Sequence, residues 1–129
     1  KNSAETAIDG ETELEAALSE YGKFTVVILG MGDDGHTASL FPGATALASG
    51  LDLHSGRSCV AVTPTAAPHE LMSITLLRLL NTECLIIHIS GENKQTVLDQ
   101  AQAGTDATEL PIRSVLQQSQ VPVTVYWAS

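Results

Sequence analysis

Four apolar runs punctuate the chain, and none shows the strict polar/apolar alternation of a strand wet on one face. Phe24–Leu29, Ser58–Val62, Cys84–Ile89 and Val121–Trp127 are rich in β-branched and aromatic residues and nearly free of charge. Each predicts a strand, and such runs belong to strands covered on both faces. Between them the period changes. Glu11–Tyr21 sets Leu14, Leu18 and Tyr21 at helical spacing, with Gly22 placed to cap the end. Glu92–Gln102 carries Val97, Leu98 and Ala101 in the same way, and Pro111 opens a short helix reaching Gln118. Thr37–Phe41 reads as one more short helix, stopped by Pro42-Gly43, and residues 44–56 as a loop with a weak turn of helix. Met72–Leu80 stays open: Ile74-Thr-Leu suits a strand, while Leu76, Leu79 and Leu80 suit a helix. Strands of this kind alternating with helices predict an α/β fold with a mostly parallel sheet, Rossmann-like and in three layers. A single domain across residues 1–129 is expected.

Composition narrows the function. The length supports one hydrophobic core without staples. Fifteen acidic side chains against six basic ones give a net charge of −9, which repels a phosphate backbone and argues against nucleic acid. Cys59 and Cys84 each sit inside an apolar run, as small buried hydrophobes do in a reducing compartment. No signal peptide opens the sequence, and no apolar run approaches the roughly 18 residues of a membrane span. A cytoplasmic protein with no membrane partner is the expectation.

Chemistry concentrates in one place. Gly30-Met-Gly-Asp-Asp-Gly-His36 directly follows the first strand, where ligands of parallel sheets collect. Gly30, Gly32 and Gly35 fit the spacing G-x-G-x-x-G of a dinucleotide turn, but Asp33 and Asp34 would repel the pyrophosphate such a turn receives. A structural reading makes Asp34 the N-cap of the following helix and leaves His36 merely exposed. The third reading is acid/base chemistry. Glycines let the backbone approach a small substrate, histidine accepts a proton near neutral pH, and a carboxylate two residues away fixes its tautomer. Backbone N–H groups at the helix start would then face an anion or a developing oxyanion.

At these residues the sequence resembles a known family. Gly30-Met-Gly-Asp-Asp-Gly-His-Thr-Ala-Ser-Leu-Phe-Pro-Gly43 is similar to the signature of the 6-phosphogluconolactonases, which hydrolyse 6-phosphoglucono-lactone to 6-phosphogluconate in the pentose phosphate pathway. Ala67-Pro-His-Glu before Met72-Ser-Ile-Thr-Leu, Ile89-Ser-Gly-Glu-Asn-Lys94 and the final strand agree more loosely. The resemblance implies that His36 activates the attacking water and that Asp34 is its acidic neighbour. It implies that Gly30, Gly32, Gly35 and Thr37 shape the turn and contact substrate through the backbone, and that Lys94 meets the 6-phosphate as a point charge. It implies a sugar-phosphate lactone as partner, and neither cofactor nor metal. His54, His69 and His88 lack the spacing of a zinc site.

The order of the motifs resembles only the C-terminal half of such an enzyme. The glycine- and serine-rich phosphate loop of the family's earlier half has no counterpart, and the chain opens on Lys1 rather than Met, so a fragment of a larger domain is expected. An uncovered sheet face or edge, inviting a homodimer, and low activity of the chain alone follow from that expectation. Leu71 stands where the family has an arginine that contacts phosphate, leaving Arg57 or Arg78 to replace it. Two further readings stay open. The related glucosamine-6-phosphate deaminases place a glutamate where this chain has Phe41, which favours hydrolysis over isomerisation. A sugar-phosphate-binding regulator without turnover would also suit Leu71.

Overall fold

The computed structural model describes residues 3–65 and 69–129, so Ala67 and Pro68 of the resemblance lie outside the described residues. Ten elements follow in order: α1 (Ser3–Ser19), β1 (Phe24–Leu29), α2 (Leu47–Leu51), β2 (Cys59–Val62), β3 (Leu71–Ile74), α3 (Leu76–Leu79), β4 (Thr82–Ser90), α4 (Glu92–Ala103), α5 (Arg113–Leu116) and β5 (Val123–Ala128). The chain is α/β. Strands β1, β4 and β5 form a parallel sheet in the order β1-β4-β5, with Leu29 opposite Ile87 and Ile87 opposite Val125. No described helix is long and apolar enough to cross a membrane.

One face of the sheet carries the core. Leu85, Ile87 and Ile89 of β4 pack with Val97, Leu98 and Ala101 of α4, Ile112 and Val115 at α5, and Leu76, Leu79 and Leu80 around α3. Each fully buried member contributes roughly 1.5–3 kcal/mol through removal of apolar surface from water. Two arginines close the helix ends that border this core. Arg78 donates to the carbonyls of Leu18 in the last turn of α1 and of Tyr21 and Gly22 beyond it, and lies 4.4 Å over the Phe24 ring. Arg113 donates to the carbonyls of Gln100 and Ala101 in the last turn of α4 and to that of Asp106 beyond it. Both satisfy carbonyls that a helix C-terminus leaves without partners.

The structure departs from the sequence expectations at five places. First, Ser58–Val62 does not join the parallel sheet; β2 pairs antiparallel with β3, Cys59 opposite Ile74. Its other edge is taken by helix α1. Glu15 Oε1 accepts from the amides of Ser58 (2.6 Å) and Cys59 (3.0 Å), and Glu11 Oε1 from that of Ala61 (2.7 Å). The early acids therefore protect a strand edge as well as facing solvent. Second, Met72–Leu80 is both alternatives in succession, β3 then α3, because Thr75 caps the helix by accepting from the Arg78 amide. Third, Thr37–Phe41 forms no helix: Thr37 and Leu40 make an isolated bridge instead. Fourth, β1 is covered on one face only, with Ile28 66% and Val26 43% exposed. Fifth, helix α1 begins earlier and ends sooner than its apolar spacing indicated, at Ser19 rather than Tyr21.

Candidate functional site

The site is built from the turn that leaves β1. Two internal bonds fold it back on itself, from the Gly32 amide to the His36 carbonyl (2.9 Å) and from the Gly35 amide to the Gly32 carbonyl (3.0 Å). Gly35 adopts φ +81°, a left-handed conformation natural to glycine, and a Cβ there would also strike Leu110. The Ile112 amide anchors the Gly35 carbonyl from across the core at 2.9 Å.

The turn presents a dyad. Asp34 Oδ1 accepts from the His36 backbone amide (3.0 Å) and lies 2.5 Å from His36 Nδ1. Burial pushes the Asp34 carboxyl up, but the hydrogen bonds from the His36 amide and ring, with the charge on that ring, outweigh it and hold the group below its ordinary range. Nδ1 is thereby fixed on the carboxylate, and no described residue bonds Nε2. The ring is about a third exposed and borders a cavity of about 400 Å³ at the carboxyl end of β1. Gly30, Gly32, Ala38 and Lys94 line the same cavity.

Gly32 owes its identity to this geometry. A Cβ there would sit 2.1 Å from His36 Nδ1 and 2.8 Å from Asp34 Oδ1, inside both partners. Gly30 is different, because a Cβ on it would meet nothing within 4 Å. Thr37 is fully buried; its hydroxyl donates to the Gly30 carbonyl at 2.9 Å, so it clamps the turn rather than facing the cavity. Lys94, in the first turn of α4, donates Nζ to the Met31 carbonyl (2.6 Å) and stands 3.6 Å from Asp33.

No helix follows Gly35, which bears on two of the readings weighed for this turn. A dinucleotide turn needs a helix N-terminus behind its third glycine, and an N-cap role for Asp34 needs one too. Instead Ala38 turns left-handed at φ 50°, the Ser39 amide donates to Ser73 Oγ on β3, and Asp34 serves the imidazole. Helix-start N–H groups for an oxyanion are therefore absent from residues 36–46. Neither arginine suggested in place of Leu71 reaches the cavity: Arg57 pairs with Glu11, and Arg78 closes α1. Leu71 itself is 38% exposed on β3.

One neighbour carried no sequence signal of its role. The Phe41 ring lies 4.3 Å from the imidazole, tilted by 30°, and packs against it. The imidazole is thus held at Nδ1 by a carboxylate, backed by an aromatic ring and bordered by the cavity.

Comparison with known proteins shows the family. The family model for glucosamine-6-phosphate isomerases/6-phosphogluconolactonase matches residues 1–127. The chain belongs to this family. Among its relatives, a 6-phosphogluconolactonase of Pseudomonas putida is 41% identical over 113 residues, covering 88% of this chain and 46% of that protein. One from Neisseria meningitidis serogroup A is 40% identical, covering 99% of this chain and 61% of the relative. The crystal structure of a 6-phosphogluconolactonase from Shewanella baltica superposes with a TM-score of 0.90 at 39% identity, over 95% of this chain and 52% of that one. The chain spans about half the length of the curated relatives it matches.

Proposed function

We propose that this chain carries the acid/base machinery for hydrolysing 6-phospho-D-glucono-1,5-lactone to 6-phospho-D-gluconate. The observation that supports it most is the His36–Asp34 pair on the cavity wall, with no described residue bonded to Nε2. Water bound there gives a proton to Nε2 as its oxygen bonds to the lactone carbonyl carbon. Asp34 stabilises the imidazolium that results. When the tetrahedral intermediate collapses, the carbon–ring-oxygen bond breaks and the proton passes from Nε2 to the departing oxygen. Lys94 borders the same cavity, and its ammonium has three donors of which one is engaged by the Met31 carbonyl. The others are free for the substrate phosphate, in competition with Asp33.

Hydrolysis is favoured over isomerisation by Phe41. Its apolar ring occupies the side of the imidazole where a deaminase-like reaction would need a second carboxylate. The test is lactone hydrolysis above the spontaneous rate, by the chain itself and by the chain joined to the half of the Shewanella baltica enzyme that it does not match. His36→Ala should lower kcat by about 10²–10⁴-fold, the usual contribution of a positioned base. Equal rates with and without the imidazole would rule out His36 as base. Tight binding of 6-phosphogluconate with no turnover in either form would favour the regulator instead.

A further inference from the structure

The junction of β4 and α4 carries a contact that neither the dyad nor the core accounts for. Gly91 stands between the two elements at φ 91° and ψ 157°, a conformation that suits glycine, and as N-cap it has no side chain to hold the first amides of α4. Both of its polar groups go instead to the end of β5. The Gly91 amide donates to the Ala128 carbonyl at 2.9 Å, and the Gly91 carbonyl accepts from Trp127 Nε1 at 2.7 Å. The helix's own bond to that carbonyl, from the Gln95 amide, is longer at 3.4 Å, so the indole is the nearer donor. Trp127 pairs with Ile89 in the parallel register, and strand alternation puts it on the same side as Val123 and Val125, which pack on the core beside α4. Lys94 follows in the first turn of α4, where its Nζ crosses to the Met31 carbonyl and borders the cavity.

We propose that Trp127 is a positioning residue for substrate binding: its N–H fixes the start of α4 and thereby sets where the Lys94 ammonium stands beside the cavity. The inference rests on the reading of Lys94 as the group that meets the substrate phosphate. Loss of the indole bond leaves the His36–Asp34 pair in place, because that pair is held within the turn after β1. It frees the first turn of α4 to shift, and a displaced ammonium holds the phosphate less well. The effect therefore belongs to binding and not to the proton transfer.

Trp127→Phe, made in the chain joined to the unmatched half of the Shewanella baltica enzyme, keeps an aromatic ring and removes the N–H. KM for the phosphorylated lactone should rise by about 2–12-fold, the range of one neutral hydrogen bond, with kcat little altered. KM for glucono-1,5-lactone, which lacks the phosphate, should not move; a merely structural loss would shift both lactones and kcat together. In a Lys94→Met background the same exchange should add nothing to KM, since the group it positions is gone. Benzothienylalanine in place of Trp127 exchanges only the N–H for sulfur, and repeats the test in the parent's shape if the phenylalanine variant does not fold. An unchanged KM for the phosphorylated lactone, equal shifts for the two lactones, or full additivity with Lys94→Met would each overturn the proposal. A joined parent with no hydrolysis above the spontaneous rate would refute the functional reading instead, and binding of 6-phosphogluconate then decides the role of Trp127. Weaker binding by Trp127→Phe upholds that role; equal binding, or none by the parent, overturns it.

Discussion

Gly32→Ala is the sharpest probe of the site. The new methyl would lie 2.1 Å from His36 Nδ1, so the ring must retreat by about 1.3 Å to reach an ordinary contact of 3.4 Å. Asp34 Oδ1, 2.8 Å from the same point, must move as well, and the 2.5 Å bond between them cannot survive both displacements. A misplacement of ~1 Å can cost 10²-fold, and loss of a general base 10²–10⁴-fold. The expected fall in kcat is therefore about 10²–10⁴, or roughly 3–5 kcal/mol of barrier. Stability should change little. Gly32 is not in a left-handed conformation, and the obstructing atoms are two side-chain ends beside a cavity, so Tm should stay within roughly 5 °C of the parent. Gly22→Ala serves as the control, because a Cβ there meets nothing within 4 Å. The assay is lactone hydrolysis in the joined protein, paired with nitrogen-15 NMR of the His36 ring to report the Nδ1 bond. A folded Gly32→Ala protein that keeps kcat within about threefold of the parent would refute the reasoning.

Three other outcomes follow from the contacts around the site and its support. Glu15→Ala leaves the Ser58 and Cys59 amides without their acceptor and should cost about 2–4 kcal/mol in urea unfolding, with Glu15→Gln recovering most of it through its amide oxygen. Burial raises the Glu11 carboxyl, but bonds from the Ala61 amide and Arg57 outweigh it and hold the group below its ordinary 4.5. A lowered native value means stability that is complete above pH ~4.5 and lost as pH falls through the native value, so the urea midpoint should drop on the acid side and Glu11→Gln should blunt that drop. An unchanged acid slope in Glu11→Gln would contradict this. Phe41→Ala removes the ring packed on His36 and should lower kcat by up to roughly tenfold with KM little altered, in keeping with the ~0.5–1.5 kcal/mol of an aromatic pair; a change confined to KM would speak against a positioning role.

What the sequence disclosed, and what it hid, divides by distance along the chain. The strands were legible because β-branched runs suit a pleated, buried surface, and the helix over Glu92–Ala103 because its apolar positions repeat at helical spacing. The helix expected after the glycine turn failed for a reason no local pattern holds. Ser39 is drawn to Ser73, 34 residues away, and Thr37 is tied back to Gly30, and together they override the helical preference of Ala-Ser-Leu-Phe. Glu11 and Glu15 read as part of a solvated acidic stretch, since the strand edge they protect begins more than 40 residues later. Full burial of β1 was inferred from an uncharged run, but within this chain Val26 and Ile28 stand exposed, because the core packs on one face of the sheet.

The same division explains why the geometry of the dyad was legible while the surroundings of a phosphate were not. The dyad needs only residues i and i+2 on one turn, with a glycine beside them to leave room, so seven consecutive letters contain its whole geometry. Binding a phosphate at the far end of a sugar requires groups spaced several ångströms apart, which a fold must assemble from distant segments. Lys94 reaches the turn from 63 residues beyond Met31 and arrives with part of its donor capacity already engaged. Arg57 and Arg78, the remaining local candidates, are committed to holding α1. On the proposed function, the proton-transfer pair is complete within the chain while affinity for the phosphate draws on donors from elsewhere. In kinetic terms, joining the unmatched half should act chiefly on KM, and substitutions at His36, Asp34 or Gly32 chiefly on kcat.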